Sequence, residues 1–342
     1  MINMRDYAKI TNVLHAGIPI LIFKGTKVGK SEVSPDSHRD QDGGKVQRIS
    51  TFGMITLDLV MRILTIICFV FPSLIATAQD APAIGIAQDI SSDSLAYQVG
   101  YTYLVSSISK YISPRNVSDE QFKVNAALIK KLKTPIYAFN LFIPAELKVV
   151  GDNVDEKAIL DYTEIVLTRC QAVGVKVIVW GSGGSRRIPE GFDRTRATEQ
   201  FVSIARKIAL QAESHNVVIA IENLNSTETN FITTLQEAFE IIKKVRHPYL
   251  RLCADIYHML KENESPAIIE KAGRAIVHCD LAEKEGRKPP GVKGDDFRPY
   301  LKALKKIKYT GTIILECNWD NVATQSGPAL ANLEKQLAEV YK

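Results

Sequence analysis

Residues 217–228 read Val-Val-Ile-Ala-Ile-Glu-Asn-Leu-Asn-Ser-Thr-Glu, an apolar run that ends on an acid and passes into a polar loop. Three later stretches repeat the device: LRLCADIYHM over 250–259, AIVHCDLAEKE over 275–285 and TIILECNWD over 312–320. Amphipathic stretches lie between them, and such alternation of short apolar runs with helical patterns argues for βα units and a parallel sheet. Extended along the chain, the pattern gives eight candidate strands. They are Ile84–Gln88, Tyr103–Ser107, Ile136–Leu141, Lys176–Trp180, Val217–Glu222, Leu250–Asp255, Ala275–Asp280 and Thr312–Glu316. Helices are expected over Gln121–Leu132, Glu156–Ala172, Arg196–Glu213, Thr234–Val245 and Phe297–Ile307, the last behind the acidic pair Asp295-Asp296 that suits a helix N-terminus. Eight such units without a linker close most economically as one (β/α)8 barrel, a fold of roughly 250 residues. An open doubly wound sheet is the alternative, but no GxGxxG fingerprint follows a strand.

The chain has 342 residues, more than one barrel needs, and the surplus lies at the N-terminus. Met61–Ala78 reads MRILTIICFVFPSLIATA, with Arg62 before the apolar run and small residues at Ala76 and Ala78. This is the pattern of a secretory signal peptide cleaved before Gln79. The run is interrupted by Pro72 and is short for a transmembrane helix, which needs ~20 residues. Residues 1–60 lack a periodic pattern, so translation is expected to begin at Met61 or Met54, with residues 79–342 forming the barrel. The mature protein would be periplasmic or secreted, with no membrane span left after cleavage.

The net charge is +5, but the chain after Ala78 carries 34 basic and 32 acidic residues. That balance shows no electrostatic footprint for nucleic acid. The five cysteines, Cys68, Cys170, Cys253, Cys279 and Cys317, form no CxxC pair, so neither a zinc ribbon nor a redox dithiol is indicated. Cys253, Cys279 and Cys317 fall in apolar runs and read as buried free thiols. A lipid-anchored Cys68 is disfavoured by Ile67 before it.

In a barrel of this kind the working groups sit at the carboxyl ends of the strands. There the fifth to eighth strands carry Glu222, Asp255, His278 and Glu316, with Glu228 and His258 in the segments just beyond. A single strand-end acid is commonly a capping group, and a lone histidine commonly a core residue. Four at matched positions point to a site. Three carboxylates and an imidazole suit one divalent cation, Mn2+ first, with Mg2+, Co2+ and Zn2+ as alternatives. His215 and His247 are read as surface residues. Gly181–Arg187, GSGGSRR, is read as a tight turn, with a phosphate cradle as the other reading.

The order IENLN…E, DIYH, HCDL and LECNW resembles the sugar isomerase and epimerase family with xylose-isomerase-like TIM barrels, and within it the ketose 3-epimerases and hydroxypyruvate-isomerase-like enzymes. The resemblance runs from about Ile84 to the C-terminus and is most specific over Val217–Trp319. It implies that Glu222, Asp255, His278 and Glu316 hold one metal ion, and that Glu222 and Glu316 exchange a proton on opposite faces of a sugar. It implies that Glu228 and His258 bind the substrate, as does Arg287 in RKPPG, which lies farther from His278 than is usual in the family. Where many relatives carry an acid near the second strand's end, this chain has GYTYLV over 100–105. The expected activity is isomerisation or epimerisation of a ketose through an enediolate, which needs a metal to steady the carbonyl and a base within reach. A keto-sugar or inosose dehydratase on the same barrel is the alternative reading. An apurinic-site endonuclease is disfavoured by the few histidines and the near-neutral charge. The partner is a small sugar, and self-association is left open.

Overall fold

Eight parallel strands close in the order β1 to β8, each hydrogen-bonded to the next and β8 to β1, in the computed structural model of this chain, which describes residues 80–342. The expected signal peptide, the doubtful extension 1–60 and Cys68 lie outside the described residues. The strands are β1 (Ala83–Ala87), β2 (Tyr103–Ser107), β3 (Ile136–Asn140), β4 (Val177–Trp180), β5 (Val218–Glu222), β6 (Leu250–Asp255), β7 (Ile276–Leu281) and β8 (Thr312–Leu315). All eight expected strands are present, with ends shifted by about one residue, the usual scatter of such boundaries.

Alternation along each strand divides the core in two. Val105, Ala138, Val179, Ala220, Cys253 and Ile314 meet inside the barrel. Their strand neighbours Leu104, Phe139, Ile178, Ile219, Leu252 and Ile313 face the other way, into the layer beneath the helices. Side chains two apart share a face. The positions two beyond Ala138, Ala220, Cys253 and Ile314 are therefore turned inward at the carboxyl end of the barrel. They are Asn140, Glu222, Asp255 and Glu316.

The helices start where side-chain caps allow. Ser118, Asp155, Asp193 and Thr234 each accept the backbone N–H three residues on, satisfying a donor that the first helical turn leaves free. This sets the helix expected over Gln121–Leu132 at Asp119–Ile129 instead. Before Arg298–Lys306 the acidic pair divides its work: Asp296 accepts the Arg298 N–H, while Asp295 accepts that of Lys284. Further helices not expected from the sequence, among them Asp93–Val99, Ala267–Ala272 and Val322–Tyr341, complete the outer layer. The last contains Pro328, which breaks the pattern a helix normally shows. Among the described residues no helix is long and apolar enough to cross a membrane.

Candidate active site

Strands β5 to β8 deliver four carboxyl groups to one point. Oxygens of Glu222, Asp255, Asp280 and Glu316 all lie within 4.8 Å of one another. Three of the four expected ligands are in this cluster; Asp280 stands in it where His278 was expected, and His278 falls in a second group with Cys253 and Asp280 whose ligand atoms also lie within 4.8 Å of one another. The register explains the exchange. Asp280 pairs with Asp255, whereas His278 pairs with Cys253, two residues back along β6. His278 is thus one layer deeper, a step of about 6.6 Å at the rise of a parallel strand. From there its Nε2 meets Asp280 Oδ1 at 2.9 Å, while Cys253 Sγ donates to Asp280 Oδ2 at 3.1 Å. His278 remains part of the site as the residue that orients an acid.

The cluster is held from every side. Asn223 grips Asp255 by its backbone, donating to Asp255 O and accepting from Asp255 N, each at 3.1 Å. Asp255 caps the following helix through the His258 N–H. Asn140 at the end of β3 donates to Glu316 Oε1 at 3.0 Å. Gly181 leaves room for Glu222, since a Cβ at that position would lie 2.0 Å from Glu222 Oε2. Arg186 is fully buried and donates to the carbonyls of Trp180, Glu222 and Ile232. Arg187 donates to Glu228 O. The GSGGSRR stretch is therefore a turn that ties β4 to β5, and its arginines are spent on carbonyls rather than held open for phosphate.

Charge in the cluster is strained by burial. Desolvation, then the neighbouring acids Glu316, Asp255 and Asp280, push Glu222 well above the usual carboxylate range. Burial likewise pushes Asp255 and Glu316 up to about 7, although Arg287 pulls both back. Burial would also raise Asp280, but the charge and hydrogen bond of His278 hold it below its ordinary value. Arg287 is the counter-charge. It hydrogen-bonds Glu316 Oε2, lies 3.5 Å from Asp255 Oδ2 and 3.9 Å from Glu228 Oε1, and stacks 4.8 Å over the Tyr257 ring. Its loop is pinned by fully buried Glu283, whose carboxylate accepts the N–H groups of Gly291, Lys293, Gly294 and Asp295.

His258 is fully buried, and desolvation followed by the charge of Arg287 pushes its pKa down to about 3. It is therefore neutral near pH 7. Its tautomer follows from a chain of partners. Asn225 Oδ1 accepts the Thr227 N–H, so its amide nitrogen faces His258 Nδ1 at 2.9 Å. Nδ1 must then be the acceptor and Nε2 the N–H. That Nε2 has no hydrogen-bond partner and lies 3.5 Å from Asp255 and 3.8 Å from Glu222. It is a buried donor beside the acids. Exposed Glu228 lies nearby, 4.0 Å from His258 Nδ1. All the expected site residues therefore converge, with Asp280, Asn140, Gly181, Arg186 and Asn225 added. His215 and His247 lie away from the cluster. They are half-buried rather than at the surface as expected, beside Glu164 and Glu213 on the outer helices.

Comparison with known proteins agrees with this fold. Residues 95–340 match the xylose isomerase-like TIM barrel family. The D-psicose 3-epimerase of Ruminiclostridium cellulolyticum is 30% identical over 125 residues, 36% of this chain and 42% of that protein. The ketose 3-epimerase of Arthrobacter globiformis is 27% identical over 111 residues, 32% of this chain and 38% of that protein. The chain thus spans less than half the length of these curated relatives. Among solved structures, the D-allulose 3-epimerase of Methylomonas sp. superposes with a TM-score of 0.63 at 18% identity, over 75% of this chain and 97% of that one. The 3-keto-D-glucoside 4-epimerase of E. coli gives 0.62 at 19% identity, over 74% and 99%. At such identities the structural likeness is one of fold.

Proposed function

The chain belongs to the xylose isomerase-like TIM barrel family, and we propose that it is a sugar isomerase or epimerase that uses one divalent metal ion to move a proton beside a carbonyl. One observation carries the reading: four acids from consecutive strands converge within 4.8 Å, more carboxyl groups than Arg287, which reaches Asp255 and Glu316, can balance. Burying unpaired carboxylates is costly, so such a cluster suits a cation. Glu222, Asp255, Asp280 and Glu316 would hold it, with His278 orienting Asp280. An all-oxygen donor set favours Mn2+ or Mg2+ over Zn2+ or Co2+. When bound, the ion supplies Lewis-acid polarisation of a carbonyl.

The chain's own residues supply the rest. His258 Nε2–H is a neutral donor for a substrate oxygen, and Arg287 and Glu228 are disposed to bind hydroxyls. Glu222, raised by burial, is a strong base once ionised. Glu316, near neutrality in its titration, matches the requirement that a proton-transfer group work close to ambient pH. With one glutamate removing a proton and the other returning it, the pair accounts for inversion at carbon.

The test is incubation of ketoses with the Mn2+-loaded protein in heavy water, followed by NMR. Epimerised product carrying deuterium beside the carbonyl is expected. A product lacking a hydroxyl would point to the dehydratase instead, and absence of deuterium incorporation from every ketose would overturn proton transfer. We also propose that the chain is exported, with residues 61–78 as a signal peptide. The short apolar run and the small residues at Ala76 and Ala78 support this.

A further inference from the structure

A groove of about 290 Å3 lies between the loops that follow β2, β3 and β4. On two strands it starts one residue beyond a residue that borders an acid of the cluster. Leu141 lines it and follows Asn140, whose amide holds Glu316. Ser182 lines it and follows Gly181, which makes room for Glu222. Both threshold residues have left-handed backbone, Leu141 at φ 58° and Ser182 at φ 32°. Non-glycine residues rarely adopt that conformation, and it concentrates at functional sites. Leu141 consequently shows its apolar side chain to solvent at 56% exposure.

Ile143, Pro144 and Ala145 continue the apolar edge, and polar side chains stand opposite. Arg115 and Glu146 pair at 2.9 Å with side chains 40% and 58% exposed, and exposed Asn116 stands beside them. The guanidinium has N–H groups beyond the one it gives Glu146, and the carboxylate has a second oxygen. An apolar edge facing paired donors and acceptors is the chemistry of a pyranose, with its C–H face and its ring of hydroxyls. The volume is at the low end of small-ligand clefts, about 300 Å3, and suits one ring.

We propose that this groove binds a second sugar ring, so that the substrate is a keto-disaccharide rather than a free ketose. The inference rests on the proton-transfer reading above. A ring ketone in a glycoside offers the same acidic C–H beside a carbonyl as an open-chain ketose. Its glycosidic substituent must leave the acids, and this groove is where it goes.

The experiment compares two substrates of the Mn2+-loaded protein: a disaccharide oxidised to the ketone on its non-reducing ring, and the methyl glycoside of the same keto-sugar. Wild type is expected to show kcat/KM at least about tenfold higher for the disaccharide, the value of one or two added hydrogen bonds. Asn116→Trp, which fills the groove from an exposed position, is expected to bring that ratio close to one. A ratio near one in wild type, or an undiminished ratio in Asn116→Trp, overturns the proposal. Saturation-transfer NMR on Glu222→Gln reads binding apart from turnover. Contact with the second ring in a protein whose wild type exchanges no proton keeps the groove and sinks the proton-transfer reading. Turnover without such contact keeps that reading and sinks the groove.

Discussion

On the proposed metal assignment, Asp280→Asn and His278→Ala separate a ligand from the residue that orients it. In the metal-free protein the acids of the cluster stand no more than 4.8 Å apart. Two unit charges at that distance repel by roughly 3 kcal/mol at an effective dielectric of about 20. Asp280→Asn removes the Asp280 partner from each such pair. It also weakens the hydrogen bonds to His278 and Cys253, at a cost of about 1–3 kcal/mol. The neighbouring acids are themselves raised, Asp255 and Glu316 to about 7, so near neutrality they carry only part of that charge, and His278 holds Asp280 below its ordinary value, so its ionised form favours the fold. The metal-free variant should therefore melt at or below the wild-type temperature. Metal widens the gap. A ligand at about a hundredfold excess over its Kd stabilises the folded state by about 2.7 kcal/mol, or roughly 5–10 °C for a chain of this size. Wild type should gain that shift on adding Mn2+, and Asp280→Asn should not. His278→Ala keeps all four carboxyl groups and loses only an orienting partner, which typically costs about 10–100-fold in metal affinity, so higher Mn2+ should restore its shift. Scanning fluorimetry across a Mn2+ titration, with elemental analysis of the purified proteins, reads both. Full Mn2+ occupancy in Asp280→Asn, with none in His278→Ala at any concentration, would refute the assignment and return the imidazole to the metal.

Four further outcomes are expected. Glu222→Gln and Glu316→Gln should each lose epimerisation by several orders of magnitude while still exchanging substrate hydrogen at one position; a metal-replete variant at wild-type rate in a heavy-water assay contradicts the two-base scheme. Gly181→Ala places a carbon 2.0 Å from Glu222 Oε2 and should cut kcat/KM by about a hundredfold, the scale of a 1 Å misplacement, with unchanged circular dichroism; near-normal kinetics would mean that Glu222 is not held where the reaction needs it. The cleaved protein should give four free thiols on titration after denaturation, since Cys170, Cys253, Cys279 and Cys317 are all unpaired, and a lower count would reveal a disulfide. N-terminal sequencing of exported protein should start at about Gln79, and a mature start elsewhere speaks against the signal peptide.

The strands were legible because each is a short apolar run closed by a polar residue, and that end condition also exposed Glu222, Asp255 and Glu316. Asp280 was hidden by chemistry rather than by pattern. An imidazole two residues earlier is the better-known metal ligand, and HCD offers both on one face of the strand. Two signals favoured the aspartate. It closes its run as Asp255 closes β6, and the spacing to Arg287, too long when counted from His278, shortens by two residues when counted from Asp280. Asn140 could be reached by the same count of two beyond an inward residue. Arg186 and Gly181 could not, because their roles depend on β4 and β5 lying side by side, which spacing along the chain does not encode. The C-terminal helix escaped notice through Pro328.

The placement of Arg187, Arg186 and Arg287 shows how one site can carry so much negative charge and stay folded. Arg187 is outside the cluster, on a backbone carbonyl. Arg186 is locked behind it by three carbonyls of the β4–β5 wall, and burial pushes its pKa down to about 10. It stays charged at neutral pH, yet it is too constrained to follow a substrate. Arg287 is different in kind. It reaches in from a surface loop and is only partly buried, and Glu316 and Asp255 hold its charge firmly on despite desolvation. Its loop is fixed at Glu283, so the reach comes from the long side chain, which sets the guanidinium against Glu316 and Asp255 with the Tyr257 ring beneath it. The two glutamates are inequivalent: burial and the acids Glu316, Asp255 and Asp280 raise Glu222 far above its ordinary range, whereas burial raises Glu316 only to about 7 because Arg287 and His278 hold it back. On the proposed two-base reading, this difference lets the pair start in different protonation states at neutral pH, Glu222 able to give a proton and Glu316 able to take one.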